Sequence, residues 1–121
     1  MQQHHVIAAL AGIVVLTAPH AVLAAEPLEC PVLAKLGPAA SGKLAADLVP
    51  DPRALNDVDG LTRAVGLFRE HGFSNADTVN YLTAIFCPVI RDDRSLSAAA
   101  KSEKAASFSS VTSDIVYRQG R

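Results

Sequence analysis

Aromatic residues are scarce in this sequence. Its 121 residues include no tryptophan, two tyrosines, four phenylalanines and a single methionine. Aromatic rings are the usual platforms on which bases and other flat ligands stack, so the chain offers little material for such a site. Tyr81 falls on the polar side of a predicted helix, near Asp77. It is either an exposed contact residue or, as is commoner for tyrosine, an amphipathic residue at the edge of the core.

A surplus of charge is also missing. The chain has 11 lysines and arginines against 12 aspartates and glutamates, which gives a formal net charge of -1 at pH 7. Proteins that bind nucleic acids or acidic membrane surfaces carry clustered basic side chains. Because no such cluster occurs, we expect no nucleic-acid partner.

The sequence motifs of familiar active sites do not occur either. There is no nucleophile elbow, phosphate-binding loop, zinc-protease helix or dinucleotide fingerprint. The stretch "DVDG" at 57–60 resembles part of a calcium loop, but Leu55 and Gly66 would then occupy positions that require carboxylates. Helix capping explains its two aspartates better. We therefore predict no catalytic residue, no cofactor and no metal site.

Few titratable residues are placed for acid–base work. Asp92 and Asp93 are adjacent and flanked by arginines, a pattern more typical of a solvated turn than of a catalytic pair. His71 stands beside Gly72 in "FREHGF", where a cation favours the carboxyl end of a helix. Neither feature predicts an active site by itself.

The N-terminus, in contrast, is strongly apolar. Residues 6–16, "VIAALAGIVVL", form an uninterrupted run of 11 residues, which fits a signal-peptide core and is short for a membrane span. Pro19 then breaks the helix, and "AVLA" at 21–24 places small residues before a cleavage site. The preceding "MQQHH" lacks the usual lysine or arginine, and an uncleaved anchor is the rival interpretation. We predict a signal peptide over 1–24 and a periplasmic or secreted product, 25–121, with no stable membrane anchor after cleavage.

The two cysteines, Cys30 and Cys87, each open a Cys-Pro-Val tripeptide. In an exported protein an even number of cysteines usually means disulfide bridges. No C-x-x-C redox pair or haem-attachment motif occurs, and a zinc site would need carboxylates to complete its ligand set. We predict a Cys30–Cys87 disulfide. A free or intermolecular thiol, and a metal-binding or catalytic cysteine assisted by His71, are the alternatives.

The periodicity of apolar residues predicts a compact all-α domain of three to five helices. The main helices are predicted over 57–72, 75–87 and 96–118, after short helices and a proline-rich loop in 25–56. The first has Asp57 or Asp59 as its cap and ends at Gly72. Its apolar stripe consists of Val58, Leu61, Val65 and Phe68.

The other two main helices have their own start and stop signals. Ser74 and Asp77 have the form of a capping box, and Pro88 is expected to kink or end the helix. Ser95 is predicted to cap the last helix, whose stripe is interrupted by Lys104. The predicted stripes are Val79, Leu82, Phe86 and Val89, widened by Ile85 and Ile90, and then Ala100, Phe108, Val111 and Ile115.

The stretches "GFSNADTVNYLTAIFCPVI" and "LSAAAKSEKAASFSSVTSDIVY" resemble a group of small exported helical proteins of Gram-negative bacteria. In that pattern a Y-L-x-A-x-[FY]-C-P-V helix precedes a Leu-Ser-capped helix that ends in an aromatic residue, here Tyr117. The two stretches cover less than half of the chain. The resemblance implies a helical fold and export, and it implies no catalytic residue.

Three functions are consistent with these features. The first is a non-enzymatic exported interaction module, an adaptor or envelope accessory with a protein partner. The alternative is a small disulfide-bonded periplasmic acid-stress chaperone, which would expose dye-binding apolar surface at low pH, whereas an adaptor would merely unfold. The third is an unidentified enzyme that uses His71 with an aspartate or glutamate.

Overall fold

A computed structural model of the chain describes residues 26–119, and the predicted signal peptide lies outside them. Four α-helices follow one another: α1 (Ala39–Leu48), α2 (Val58–Glu70), α3 (Asn75–Arg91) and α4 (Ala98–Gln119). Short 3-10 helices at Leu33–Lys35 and Pro52–Asn56 precede α1 and α2. Within the described residues there is no strand, which confirms the all-α prediction. None of the helices between residues 26 and 119 is long and apolar enough to cross a membrane.

Helix α2 is capped at both ends as the sequence predicts. The Asp57 carboxylate accepts hydrogen bonds from the backbone N–H groups of Asp59, at 2.7 Å, and Gly60, at 3.1 Å. At the other end Gly72 has φ +85°, the left-handed conformation that glycine adopts without a steric penalty. These caps fix α2 to within two residues of its predicted limits.

Helix α3 begins as predicted but runs further. The Ser74 hydroxyl accepts a hydrogen bond from the backbone N–H of Asp77 at 3.1 Å. The helix continues through Pro88 to Arg91, four residues beyond the end expected at 87. Pro88 has no N–H to donate, and the helix closes beyond it where the N–H of the C-cap residue Asp92 bonds to the Pro88 carbonyl at 2.9 Å. Ile90, buried in the core, holds this extra turn in place.

The N-terminal cap of α4 is Ser97, and the predicted cap at Ser95 is wrong. The Ser97 hydroxyl accepts a hydrogen bond from the backbone N–H of Ala100 at 3.1 Å. Ser95 instead belongs to the preceding turn, where its N–H and hydroxyl both donate to the Asp93 carboxylate. The Leu-Ser step therefore starts this helix.

The core lies where α3 packs against α2, α4 and the second 3-10 helix, and the contact between α3 and α4 is the most extensive. Thr112 and Val116 are the fully buried residues of α4, whereas the predicted stripe residue Val111 is 41% exposed. Val58, predicted to belong to the α2 stripe, is 63% exposed. The largest fully buried side chains are Phe68, Phe86, Leu82, Ile90, Val65, Val116 and Thr112.

The two halves of α4 are buried to different extents, which leads to a prediction about dynamics. No residue of 97–106 is buried, whereas five residues of 79–87 are. Since local opening is easiest where few apolar contacts hold a helix, amides of 97–106 should exchange with solvent faster than those of 79–87. Native-state hydrogen exchange measures this directly. Equal protection in the two segments would contradict the prediction.

Candidate functional site

The predicted disulfide is present and joins the N-terminal segment to α3. The Cys30 and Cys87 sulfurs are 2.11 Å apart, the Cα atoms are 5.5 Å apart, and 57 positions separate the residues in sequence. No cysteine among the described residues is free. No group of histidine, cysteine, aspartate or glutamate in 26–119 could hold a metal ion. In this form neither sulfur is available as a nucleophile or ligand.

A surface depression of about 190 Å³, here called the apolar groove, lies between α4 and the start of α2. Phe86 and Phe108 stack within it, with ring centroids 4.4 Å apart and planes inclined by 28°. Because this aromatic pair also joins α3 to α4, the groove lies directly over the core. Its lining consists of Leu55, Asn56, Asp57, Val58, Leu61, Phe86, Lys104, Ser107, Phe108 and Val111.

The rim of the apolar groove combines exposed valines with an unpaired cation. Val58 and Val111 are 63% and 41% exposed, although they flank buried core residues. Lys104 is half-buried, and none of the ion pairs within 26–119 includes it. The Asp57 carboxylate is already bonded to two N–H groups at the start of α2. The groove therefore offers apolar surface with Lys104 and the helix-capping Asp57 carboxylate in its lining.

A second depression of about 330 Å³, here called the polar pocket, lies where the start of α1 meets the turn between α2 and α3. Four polar side chains line it: Ser41, His71, Asp77 and Tyr81. The remaining lining residues are Leu36, Gly37, Pro38, Leu44, Gly72 and Phe73. The pocket shares no lining residue with the apolar groove.

Ser41, His71 and Asp77 belong to the residue types of a hydrolase triad, but the hydrogen bonds of a triad are not formed. A nucleophile must bond to the imidazole, and the imidazole in turn to the carboxylate. Side-chain hydrogen bonds on the elements around the pocket join Arg69 to Asn75 and Thr78 to Ser74, and none within 26–119 includes the imidazole.

Tyr81 is buried, which fits the commoner interpretation of a tyrosine at the core and not the alternative of an exposed contact residue. Its exposed fraction is 2%, and its ring packs edge-on against Phe73 with centroids 5.4 Å apart. Gly37 lies directly over the hydroxyl, since a Cβ atom there would be 2.6 Å from it. Helical periodicity did not reveal this burial because the covering residue comes from a distant segment.

No family model, curated protein or solved structure matches this chain. Its resemblance to small exported helical proteins therefore stays a prediction, and its function has to be inferred from the two surface features.

The adjacent carboxylates of Asp92 and Asp93 lie in the turn after α3. The Arg91 guanidinium donates to Asp92 at 3.0 Å, and this hydrogen bond lowers the pKa of that carboxyl group. The hydroxyl and backbone N–H of Ser95 lower the pKa of Asp93. Both groups are ionised at neutral pH and bonded to neighbours, which fits a solvated turn.

Proposed function

We propose that the protein is a non-enzymatic exported interaction module, an adaptor or envelope accessory that binds a protein partner. The observation that carries this proposal is the apolar groove, in which exposed Val58 and Val111 border a stacked phenylalanine pair. Contiguous apolar surface edged by polar groups is typical of protein-binding sites. A small helical body closed by a disulfide gives such a surface a rigid support.

The chemistry of the rim indicates what the partner presents. The groove is small, so it accommodates one large apolar side chain of the kind that anchors many interfaces. Lys104 forms no ion pair within the described residues, although its charge helps to lower the pKa of Asp93, and the backbone N–H groups at the start of α2 bond to Oδ1 of Asp57. A carboxylate beside the apolar anchor would pair with Lys104 and fix the orientation of the complex.

Export is the second part of the proposal. Disulfides form and persist in oxidising compartments and are rare in the cytosol, so the Cys30–Cys87 bond supports a periplasmic or extracellular location. The apolar run at 6–16 and the small residues before position 25 support the same location.

Site-specific photo-crosslinking in producing cells tests the groove. A photoreactive phenylalanine analogue at position 58 or 111 should form one discrete adduct, because both positions border the groove. The same analogue in place of Val32, which is 54% exposed but lies away from the groove, should not form that adduct. We expect Lys104→Glu to reduce the adduct about tenfold, since it places like charges together.

Lys43→Glu on α1 is the matched control. It reverses an exposed charge outside the groove and should leave the adduct unchanged. Equal crosslinking from position 32, or no effect of Lys104→Glu, would refute the assignment to the groove. A broad distribution of adducts would favour the chaperone.

A further inference from the structure

Tyr81 is only 2% exposed as a residue, and its hydroxyl, which forms no hydrogen bond with another residue of 26–119, borders the polar pocket. The neighbouring polar side chains of α3 are bonded to other residues: the Asn75 side chain accepts from Arg69, and the Thr78 hydroxyl donates to the Ser74 carbonyl. Among the described residues the buried side-chain oxygen without a partner is that of Thr83, so the Tyr81 hydroxyl is not sealed in the core and is reached from the pocket. The hydroxyl lies beside Gly37 and faces the polar pocket, where a ligand could reach it.

One carboxylate lines the polar pocket. Asp77 is its only acidic lining residue, and no lysine or arginine lines it. The Asp77 carboxylate forms no ion pair with any residue of 26–119. The pocket therefore presents a carboxylate without an ion-pair partner, together with hydroxyl groups that accept hydrogen bonds from a cation.

The amino end of α1 lies near the polar pocket but does not make the pocket favour an anion over a cation. Its first-turn residues Ala39 and Ala40 are not among the residues that line the pocket. The N–H of Ser41, which does line it, already bonds to the Pro38 carbonyl at 3.0 Å. The partial positive charge at a helix start acts mainly through such N–H groups, so it offers an anion no direct donor here.

We propose that the polar pocket binds a small organic ammonium ion with an apolar body. The ammonium group pairs with Asp77 and donates to the hydroxyls of Tyr81 and Ser41. The apolar body lies against Leu36, Leu44 and the ring of Phe73, which also favours a nearby cation. A volume of about 330 Å³ is at the lower end of ligand sites. Because the pocket is separate from the apolar groove, this site goes beyond the proposed adaptor function.

Titration of the isotope-labelled protein with phenethylammonium, followed by amide chemical shifts, tests the proposal. A ligand with about nine non-hydrogen atoms should bind with a dissociation constant on the order of 1–10 mM. Shifts should concentrate at residues 36–44 and 71–81. The neutral analogue 2-phenylethanol and the anion phenylacetate have nearly the same size and should bind at least about tenfold more weakly.

Asp77→Asn should weaken phenethylammonium binding about tenfold and remove its dependence on salt. Asp59→Asn is the matched control, because Asp59 also lies in the first turn of a helix but outside the pocket. Tyr81→Phe should weaken binding without lowering the melting temperature, since the hydroxyl has no partner to lose. Equal binding of the three probes, unchanged affinity in Asp77→Asn, or no shifts at the pocket would each overturn the proposal.

Discussion

Replacing both Cys30 and Cys87 by serine should lower the free energy of unfolding by about 2–4 kcal/mol. The bridge spans 57 positions, so its loss gives the unfolded chain much more conformational freedom. For a domain of about 100 residues the melting temperature should fall by roughly 10–25 °C. Thermal unfolding followed by circular dichroism measures the change.

Thiol labelling provides the companion measurement. Denatured but unreduced protein should contain no reactive thiol, and reduction should release two, because the described cysteines are bonded to each other. At low temperature the double variant should keep its groove and any partner binding, since the bond acts mainly on the unfolded state. Loss of binding in Cys87→Ser alone, together with a thiol that reacts readily in the native protein, would refute a structural role.

Gly60→Ala should destabilise the protein by about 2–3 kcal/mol despite the better helix propensity of alanine. A Cβ atom at position 60 would be 2.1 Å from the backbone carbonyl oxygen of Ala54, far inside contact distance. Because that oxygen belongs to the backbone, the 3-10 helix Pro52–Asn56 would have to move away from α2. Chemical denaturation of the purified variant measures the loss.

Gly66→Ala is a matched control in the same helix. A Cβ atom at position 66 meets nothing within 4 Å, so alanine should stabilise α2 by about 0.5–1 kcal/mol. Similar effects of the two substitutions would show that the close approach of Ala54 is not the reason why position 60 requires glycine. Crosslinking through the groove should change in Gly60→Ala only, since Leu55 lines the groove on the displaced segment.

Several features set by local chemistry could be predicted from the sequence, although the cap of α4 is Ser97 instead of Ser95 and α3 runs past Pro88. The Asp57 and Ser74 caps depend on side chains two or three residues from their donors, and Gly72 on a single backbone conformation. The disulfide followed from the cysteine count and the expected compartment. None of these features requires knowledge of how the helices pack.

Features set by tertiary packing were not predictable in the same way. The segment "PDPRALND" was expected to be a loop, yet it forms a 3-10 helix whose Leu55 is 2% exposed beneath α2. Val58 has the periodicity of a core residue, but as the first residue of α2 it projects past the core, with 63% exposure. Burial at these positions depends on neighbours that helical periodicity does not specify.

Both candidate sites are assembled from distant parts of the chain. The apolar groove brings Leu55 and Val58 next to Phe108 and Val111, and the polar pocket brings Leu36 next to His71 and Tyr81. His71 was considered from the sequence, but its relation to Ser41 and Asp77 depends on the crossing of α1 with α3. No short motif encodes such a juxtaposition, so the structure was needed to find either site.

The Cys30–Cys87 bond closes residues 30–87 into a covalent ring, and α4 lies outside this ring. The apolar groove lies between the ring and α4, because Val58 belongs to the ring and Val111 to α4. Noncovalent packing, including the Phe86–Phe108 stack, holds α4 against the ring. A partner side chain bound in the groove would contact both the covalent ring and α4, and would therefore link the part of the domain that the disulfide closes to the part held by packing alone.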